Sequence, residues 1–253
     1  MIQLHSAKVT TSQTIESQLT KASTPNYNSR ISPWLRDLAY DAGRQFLIPL
    51  FFGRVNITGQ HNIPLHNPVI LAPTHRSRWD ALLVAYAAGK CVTGRDLRFM
   101  VTQTECQGIQ GWFVKRLGGF PVDIKRPSVT TLRYGLDLLI QKEILVIFPE
   151  GGIYRNGEVN SLKPGIARLA MAAEAQKPGL NVKIIPIGIN YSDLCPTWGT
   201  DVSIHIGQEI PVSDYISGSV KLDSKRITHD LSKSLKELNH MQGNVPSHAF
   251  ANS

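Results

Sequence analysis

Short apolar segments alternate with helical patterns through the middle of the chain, and this alternation limits the possible folds more than any other feature. The apolar segments predict strands at residues 69–71, 98–101, 144–148, 184–189 and 202–206. Apolar residues at helical spacing predict helices at residues 81–88, 129–142, 165–175 and 224–239. Strands that alternate with helices pair mostly in parallel, because each helix returns the chain to the start of the next strand. We therefore predict a single α/β domain with a mostly parallel central sheet flanked by helices.

Changes in composition divide the chain into four parts. Residues 1–30 are rich in Ser, Thr, Gln and Asn with few large apolar side chains, which predicts a flexible tail. Residues 31–54 form an amphipathic helical segment, residues 55–245 form the domain, and residues 246–253 form a C-terminal tail.

Two interpretations of the amphipathic segment stay open. Pro33 suits the first helical position, and Pro49 is expected to kink or end the helix. In the first interpretation the segment lies in a membrane interface with Trp34, Phe51 and Phe52 inserted. In the second it is an ordinary helix packed on the domain.

Charge and composition narrow the expected partners. The net charge is +8, which favours an anionic partner such as a phosphate-bearing small molecule, an acidic lipid surface or an acidic carrier protein. Nucleic acid is not an expected partner, because the basic residues are scattered and match no recognised motif. No apolar run approaches the ~18 residues of a membrane-spanning helix. Three widely spaced cysteines, Cys91, Cys106 and Cys195, indicate a reducing compartment, without a disulfide framework or a metal site.

A histidine and an aspartate stand five positions apart after the first predicted strand. Within one continuous helix they would lie about 140° apart around the axis and would not meet. If His75 lies in the turn before the helix, the chain can fold back and bring the imidazole to Asp80 in the first helical turn. Asp80 would then fix the tautomer and leave the other ring nitrogen as a general base. The alternative is a capping box, in which Asp80 reaches back to Ser77 and has no catalytic role.

Two further turns carry candidate binding residues. Glu150 follows the strand predicted at residues 144–148 and precedes two glycines, which allow the backbone to approach a ligand closely. Glu150 either binds a substrate hydroxyl or is a solvated turn residue. The stretch Gly-Gly-Phe-Pro-Val-Asp-Ile-Lys-Arg at residues 118–126 ends in Lys125 and Arg126. These cations either hold a phosphate or form a solvated basic loop.

Together these stretches resemble the glycerolipid acyltransferase family, in particular its 1-acyl-sn-glycerol-3-phosphate (lysophosphatidic acid) acyltransferases. The family motif Asn-His-x4-Asp reads Thr-His-Arg-Ser-Arg-Trp-Asp at residues 74–80, and Phe-Pro-Glu-Gly-Thr-Arg reads Phe-Pro-Glu-Gly-Gly-Ile at residues 148–153. The family's middle block and its late apolar-Pro block are similar to residues 118–124 and 184–188, and Leu-Lys-Pro-Gly at residues 162–165 resembles the segment after the third block.

The resemblance implies that residues 55–245 are an acyltransferase domain. Such a domain moves a fatty acyl group from acyl-CoA or acyl carrier protein (acyl-ACP) to the free hydroxyl of a lysoglycerolipid. The most direct acceptor is 1-acylglycerol-3-phosphate, which gives phosphatidic acid. His75 would act as the base, Asp80 would orient it, and Glu150 and Gly151 would position the acceptor. No metal or bound cofactor is expected, and amphiphilic substrates favour a peripheral membrane protein on the cytoplasmic face.

Departures from the family pattern concern the acceptor headgroup. The family's threonine and arginine after Pro-Glu-Gly are Gly152 and Ile153 here, and its arginine after Val-Asp is Ile124. Either the acceptor is another lysophospholipid or alcohol, or the headgroup meets displaced cations, for which the candidates are Lys125, Arg126 and Arg155. Hydrolysis, with water as the acceptor, and lipid binding at a membrane without turnover stay as alternatives.

Overall fold

A computed structural model describes residues 30–123 and 128–241. The tails predicted at residues 1–30 and 246–253 therefore lie outside the described residues, apart from Arg30.

An eight-stranded sheet forms the centre of this part of the chain. Its strands are β1 (Val55–Thr58), β2 (Val69–Pro73), β3 (Leu97–Thr102), β4 (Gly119–Val122), β5 (Ile144–Val146), β6 (Lys183–Tyr191), β7 (Val202–Ile206) and β8 (Ile210–Pro211). They are ordered β1-β7-β6-β2-β5-β3-β4, and β8 pairs with β6. All neighbouring pairs of strands are parallel except two: β6 is antiparallel to β7 and to β8. The predicted α/β class with a mostly parallel sheet is confirmed.

Helices connect and flank these strands. They are α1 (Pro33–Ala42), α2 (Ile48–Phe51), α3 (Asp80–Ala88), α4 (Lys90–Thr93), α5 (Gly108–Arg116), α6 (Val129–Ile140), α7 (Gly165–Gln176) and α8 (Val220–His240). The four helices predicted after the first strand correspond to α3, α6, α7 and α8. The sequence pattern missed the one-turn helix α4, helix α5, which contains two glycines, and the short strands β1, β4 and β8. Pieces of this length depend on pairing and packing more than on their own propensity.

The sheet has a hydrophobic core on each face, because alternate residues of a strand point to opposite sides. One core joins Ile70, Leu145 and Ile184 of the central strands to α6, α7 and α8. The other core joins Leu71, Val146 and Ile185 of the same strands to α2 and α3. The strands β2, β5 and β6 are buried throughout, as expected for parallel strands covered on both faces.

The segment predicted at residues 31–54 packs on the domain and also exposes apolar side chains. Leu35 and Ile48 of this segment are buried, while five of its large apolar residues stay exposed: Trp34, Leu38, Phe46, Leu47 and Leu50. In the membrane interpretation the insertion of Phe52 is wrong, whereas Phe51 is half-buried and its insertion stays a prediction. Phe52 is only 3% exposed in the core, and Phe51 packs on Trp79 with ring centroids 4.4 Å apart.

Pro49 does not end the helical segment, because α2 continues to Phe51. A widened π-helical turn, Gly43–Leu47, joins α1 to α2 just before the proline. Proline donates no backbone hydrogen bond and crowds the carbonyl four residues earlier, here that of Gln45 within the widened turn. Among the described helices, none is both long enough and apolar enough to cross a bilayer.

Candidate active site

Three neighbouring parallel strands bring the polar residues of the site together. In the sheet, β2 lies between β5 and β6, and both pairs are parallel. The carboxyl ends of the three strands therefore meet at one edge, where sites of α/β proteins usually form. His75 follows β2, Glu150 follows β5, and Tyr191 is the last residue of β6.

His75 and Asp80 meet in the geometry expected from a fold-back of the chain. His75 lies in the turn after β2, and Asp80 is the first residue of α3. The His75 Nδ1 atom is 2.9 Å from Asp80 Oδ2. A carboxylate only accepts hydrogen bonds, so Nδ1 carries the proton and Nε2 is the nitrogen that can accept one.

The carboxylate of Asp80 is completely buried and also accepts backbone hydrogen bonds. Its Oδ2 atom accepts from the backbone N–H of Arg76 at 2.6 Å and of Ser77 at 2.8 Å. The contact with Ser77 is the one that a capping box would make. The two interpretations of this pair are therefore compatible, because one carboxylate both holds the helix start and contacts the imidazole.

Tyr191 is a residue of the site that the sequence pattern did not reveal. Its hydroxyl donates a 2.5 Å hydrogen bond to Asp80 Oδ1, the oxygen that His75 does not contact. Burial raises the pKa of Tyr191 far above its usual range, and the charge of Asp80 raises it further. The phenol therefore remains a donor. The only signal in the sequence is a tyrosine at the end of an otherwise apolar strand.

Glu150 joins the turn after β5 to the turn after β2. It is 1% exposed and accepts from Arg76 Nη1 at 2.8 Å and from the backbone N–H of His75 at 3.2 Å. Asn160 donates to Glu150 from its backbone and its side-chain amide. The alternative of a solvated turn glutamate is wrong, because the strand end carries Glu150 into the interior, where it pairs with Arg76.

Further hydrogen bonds hold the turn that carries the histidine. Thr74 stands where the family motif has asparagine, and its Oγ1 accepts from the backbone N–H of Ile189 at 2.9 Å. The backbone N–H of Tyr154 donates to the His75 carbonyl at 2.9 Å. The imidazole stacks on Phe148, with ring centroids 4.0 Å apart and planes 22° apart. These contacts fix both the backbone and the ring of His75.

The imidazole lies in the wall of a cavity of about 540 Å³. Gly151, Gly152 and Ile153 from the turn after β5 also line it. Gly151 has φ +72°, a conformation that favours glycine. The basic residues among its described lining are Arg78 and Lys163. A second, apolar groove of about 300 Å³ shares four lining residues with the first cavity: Arg78, Ala81, Val101 and Val114.

The remaining predicted cations do not line this cavity in the described structure. Arg155 is exposed in the loop after Ile153, and its expected headgroup contact stays a prediction. Lys125 and Arg126 lie outside the described residues. No cluster of metal-ligating side chains occurs within residues 30–123 and 128–241.

A histidine held by a buried carboxylate, at the wall of a largely apolar cavity, is an arrangement that suits general-base chemistry. The chain belongs to the acyltransferase family, whose family model matches residues 54–190.

Known relatives agree with this assignment. The chain is 28% identical over 154 residues to 1-acyl-sn-glycerol-3-phosphate acyltransferase of Streptococcus pneumoniae, covering 58% of this chain and 52% of that protein. It is 27% identical to the Bacillus subtilis protein of the same name, over 49% of this chain and 59% of that protein. Human mitochondrial glycerol-3-phosphate acyltransferase 1 is 28% identical, over 49% of this chain and 16% of its own length. The alignments thus span no more than about three fifths of these relatives.

A solved structure shows the same fold. The 1-acyl-sn-glycerophosphate (LPA) acyltransferase PlsC from Thermotoga maritima superposes with a TM-score of 0.59 at 17% identity. The match covers 83% of this chain and 79% of that one.

Proposed function

We propose that this protein transfers a fatty acyl group from a thioester to the free hydroxyl of a lysoglycerolipid, in phospholipid biosynthesis. The preferred acceptor is 1-acylglycerol-3-phosphate, which would give phosphatidic acid. The observation that carries the proposal is the His75–Asp80 pair at the wall of the cavity. The names of the relatives and the family membership support the same reaction.

In this mechanism His75 Nε2 takes the proton of the acceptor hydroxyl as its oxygen attacks the thioester carbonyl. A new C–O ester bond forms, the C–S bond breaks, and the proton passes from His75 to the departing thiolate of CoA or acyl carrier protein. Asp80 keeps the ring oriented and stabilises the imidazolium that forms between these steps. Tyr191 holds the second oxygen of Asp80 and so keeps the carboxylate in place. No metal or bound cofactor has a part in these steps.

The cavity supplies space for acceptor and acyl chain beside the base. Gly151 lines the wall next to the ring and brings backbone close to the acceptor. Glu150 acts on the acceptor indirectly, through the backbone of His75 and through Arg76. Arg78 and Lys163 are the cations among the described residues that line the cavity, and Lys125, Arg126 and Arg155 remain candidates for the headgroup.

A second acceptor class is favoured by one residue. Ile153 lines the cavity where the family motif places an arginine, so the wall there offers apolar surface and no charge. Such a wall suits a lysophospholipid with a larger headgroup or another alcohol better than a bare phosphate monoester.

We also propose that the protein is a peripheral membrane protein on the cytoplasmic face. The exposed apolar side chains of α1 and of residues 43–51 support this location, because the substrates are amphiphiles. The cysteines, which form no disulfide, are compatible with a reducing compartment. Anionic lipid would attract the positively charged protein.

Product analysis tests the proposal. The purified full chain is incubated with radiolabelled acyl-CoA or acyl-ACP and a panel of lysolipids that includes lysophosphatidate and lysophosphatidylcholine. Labelled diacyl lipid supports acyl transfer, and the preferred acceptor identifies the headgroup. Labelled free fatty acid would indicate hydrolysis instead. Absence of both products, with lipid binding retained, would indicate a binding protein without turnover.

A further inference from the structure

One short helix exposes an apolar face that no sequence pattern predicted. In α5, Ile109, Trp112 and Phe113 are 81%, 42% and 44% exposed. They are spaced at i, i+3 and i+4, so they share one face of the helix. The guanidinium of Arg116 lies 4.0 Å above the Trp112 ring and completes this face.

The packing of α5 directs this face away from the domain. Gly111 is its buried residue, and a Cβ atom there would lie 2.1 Å from the backbone carbonyl of Cys106. Gly111 is two residues from Ile109, about 200° around the helix axis. Because the helix packs through its glycine side, Ile109 and Phe113 on the opposite side, and Trp112 beside them, stay exposed.

The face lies beside both the N-terminal helix and the catalytic cavity. The backbone N–H of Ser32, at the start of α1, donates to the carbonyl of Arg116 at 3.0 Å. On the other side of α5, Gln110 lines the cavity of His75, and Val114 lines both that cavity and the apolar groove. Helix α1 also lines the apolar groove, through Arg36, Ala39 and Tyr40, so α5 and α1 border the same groove. Trp34 of α1 is exposed as well.

We infer that α5 is a second membrane-docking element, which binds the surface of an anionic lipid bilayer through Ile109, Trp112 and Phe113. The inference rests on the proposed function, which makes the acceptor a bilayer component. Tryptophan and an arginine stacked on it suit the headgroup region, where an apolar body and a polar edge are both accommodated. Lys115 and Arg116 at the end of α5 add positive charge that complements anionic headgroups. Docking through both α1 and α5 would hold the cavity opening against the bilayer, where the acceptor can enter without crossing water.

Vesicle sedimentation tests this inference. The full chain is mixed with vesicles of phosphatidylcholine alone or with an equal share of phosphatidylglycerol. We expect the triple variant Ile109→Ser/Trp112→Ser/Phe113→Ser to bind mixed vesicles about ten- to a hundredfold more weakly than the unchanged protein. Ile109→Ser alone should weaken binding several-fold and, at a site 81% exposed, leaves the fold intact. The control Val220→Ser/Leu222→Ser removes exposed apolar side chains at the start of α8 and should bind normally.

A second measurement separates this inference from the proposed reaction. Acyl transfer is assayed with the acceptor in vesicles and with a short-chain acceptor dissolved as monomers. The α5 variants should lose transfer to the vesicle acceptor and keep transfer to the soluble one. Equal vesicle binding by the triple variant and the unchanged protein would overturn the inference. It would also be overturned if the unchanged protein were an oligomer and the triple variant a monomer, because the face would then be a contact between copies of the chain. If the unchanged protein binds vesicles through α5 but transfers no acyl group, the proposed reaction is refuted and the inference about α5 stands.

Discussion

Tyr191 and Asp80 are 111 positions apart in the sequence, and the hydroxyl of one donates a 2.5 Å hydrogen bond to the carboxylate of the other. Each of the two oxygens of the Asp80 carboxylate therefore has its own hydrogen-bond partners. The Oδ2 atom contacts His75 and two backbone N–H groups, and the Oδ1 atom contacts the phenol. A carboxylate held on both sides cannot rotate away from the imidazole, so the end of β6 supports a base that follows β2.

Removing the hydroxyl of Tyr191 should slow acyl transfer without unfolding the protein. We expect Tyr191→Phe to lower kcat about ten- to a hundredfold, since a hydrogen bond to a charged group is worth about 1.5–3 kcal/mol. The matched control is Tyr215→Phe, which removes a 2.8 Å bond from a tyrosine to the carboxylate of Asp230 on α8. Steady-state kinetics of both variants make the comparison, and an equal effect of the two substitutions would contradict a role for Tyr191 in the site.

The raised pKa of Tyr191 also predicts how stability depends on pH. In the unfolded chain a tyrosine ionises near pH ~10, whereas burial keeps Tyr191 protonated to higher pH. The unfolded state therefore loses its proton first, and the free energy of unfolding falls as the pH rises above about 10. In Tyr191→Phe this fall should be less steep, by up to about 1.4 kcal/mol per pH unit.

Denaturant unfolding between about pH 9 and pH 11 measures the difference between the two slopes. Tyr215, whose pKa burial raises to about 12, is present in both proteins and cancels in the comparison. Identical slopes would show that the phenol of Tyr191 is not held protonated by the fold.

Local patterns predicted the sheet class, because strand and helix periodicity are short-range features. They left the meeting of His75 with Asp80 open against a capping box, and the family resemblance favoured the pair. Tyr191 was missed because its contact depends on β6 lying beside β2, a pairing that no local pattern specifies. The burial of Glu150 was missed for the same reason, since its partner Arg76 is 74 positions away. Helix α5 was missed because it is only nine residues long and contains two glycines, which lower its intrinsic helix propensity.

The Arg76–Glu150 pair is buried, so breaking it should be costly. We expect Glu150→Gln to lower the free energy of unfolding by about 3–5 kcal/mol, because the guanidinium of Arg76 would stay buried without a counter-charge. The control Arg54→Gln breaks an exposed pair with Asp201 and should cost less than about 1 kcal/mol.

The double variant Arg76→Met/Glu150→Gln should recover part of the loss, since it leaves neither charge alone. Urea unfolding measures all four proteins. Equal costs for Glu150→Gln and Arg54→Gln would refute the structural role of the buried pair.

Ile153 is predicted to set the preference between headgroups. An arginine there would face the cavity and could form a forked contact with a phosphate monoester. We expect Ile153→Arg to lower KM for lysophosphatidate about tenfold relative to lysophosphatidylcholine. Val220→Arg adds the same charge at an exposed site on α8 and should leave the ratio unchanged. The role assigned to Ile153 fails if both variants alter the ratio alike.

The most direct test of the account is single-turnover acyl transfer by His75→Ala. With the folded state confirmed by circular dichroism and by retained vesicle binding, we expect diacyl lipid to form about a hundred- to ten-thousandfold more slowly than with the unchanged protein. A folded His75→Ala variant that forms diacyl lipid at a near-normal rate would contradict the assignment of His75 as the base.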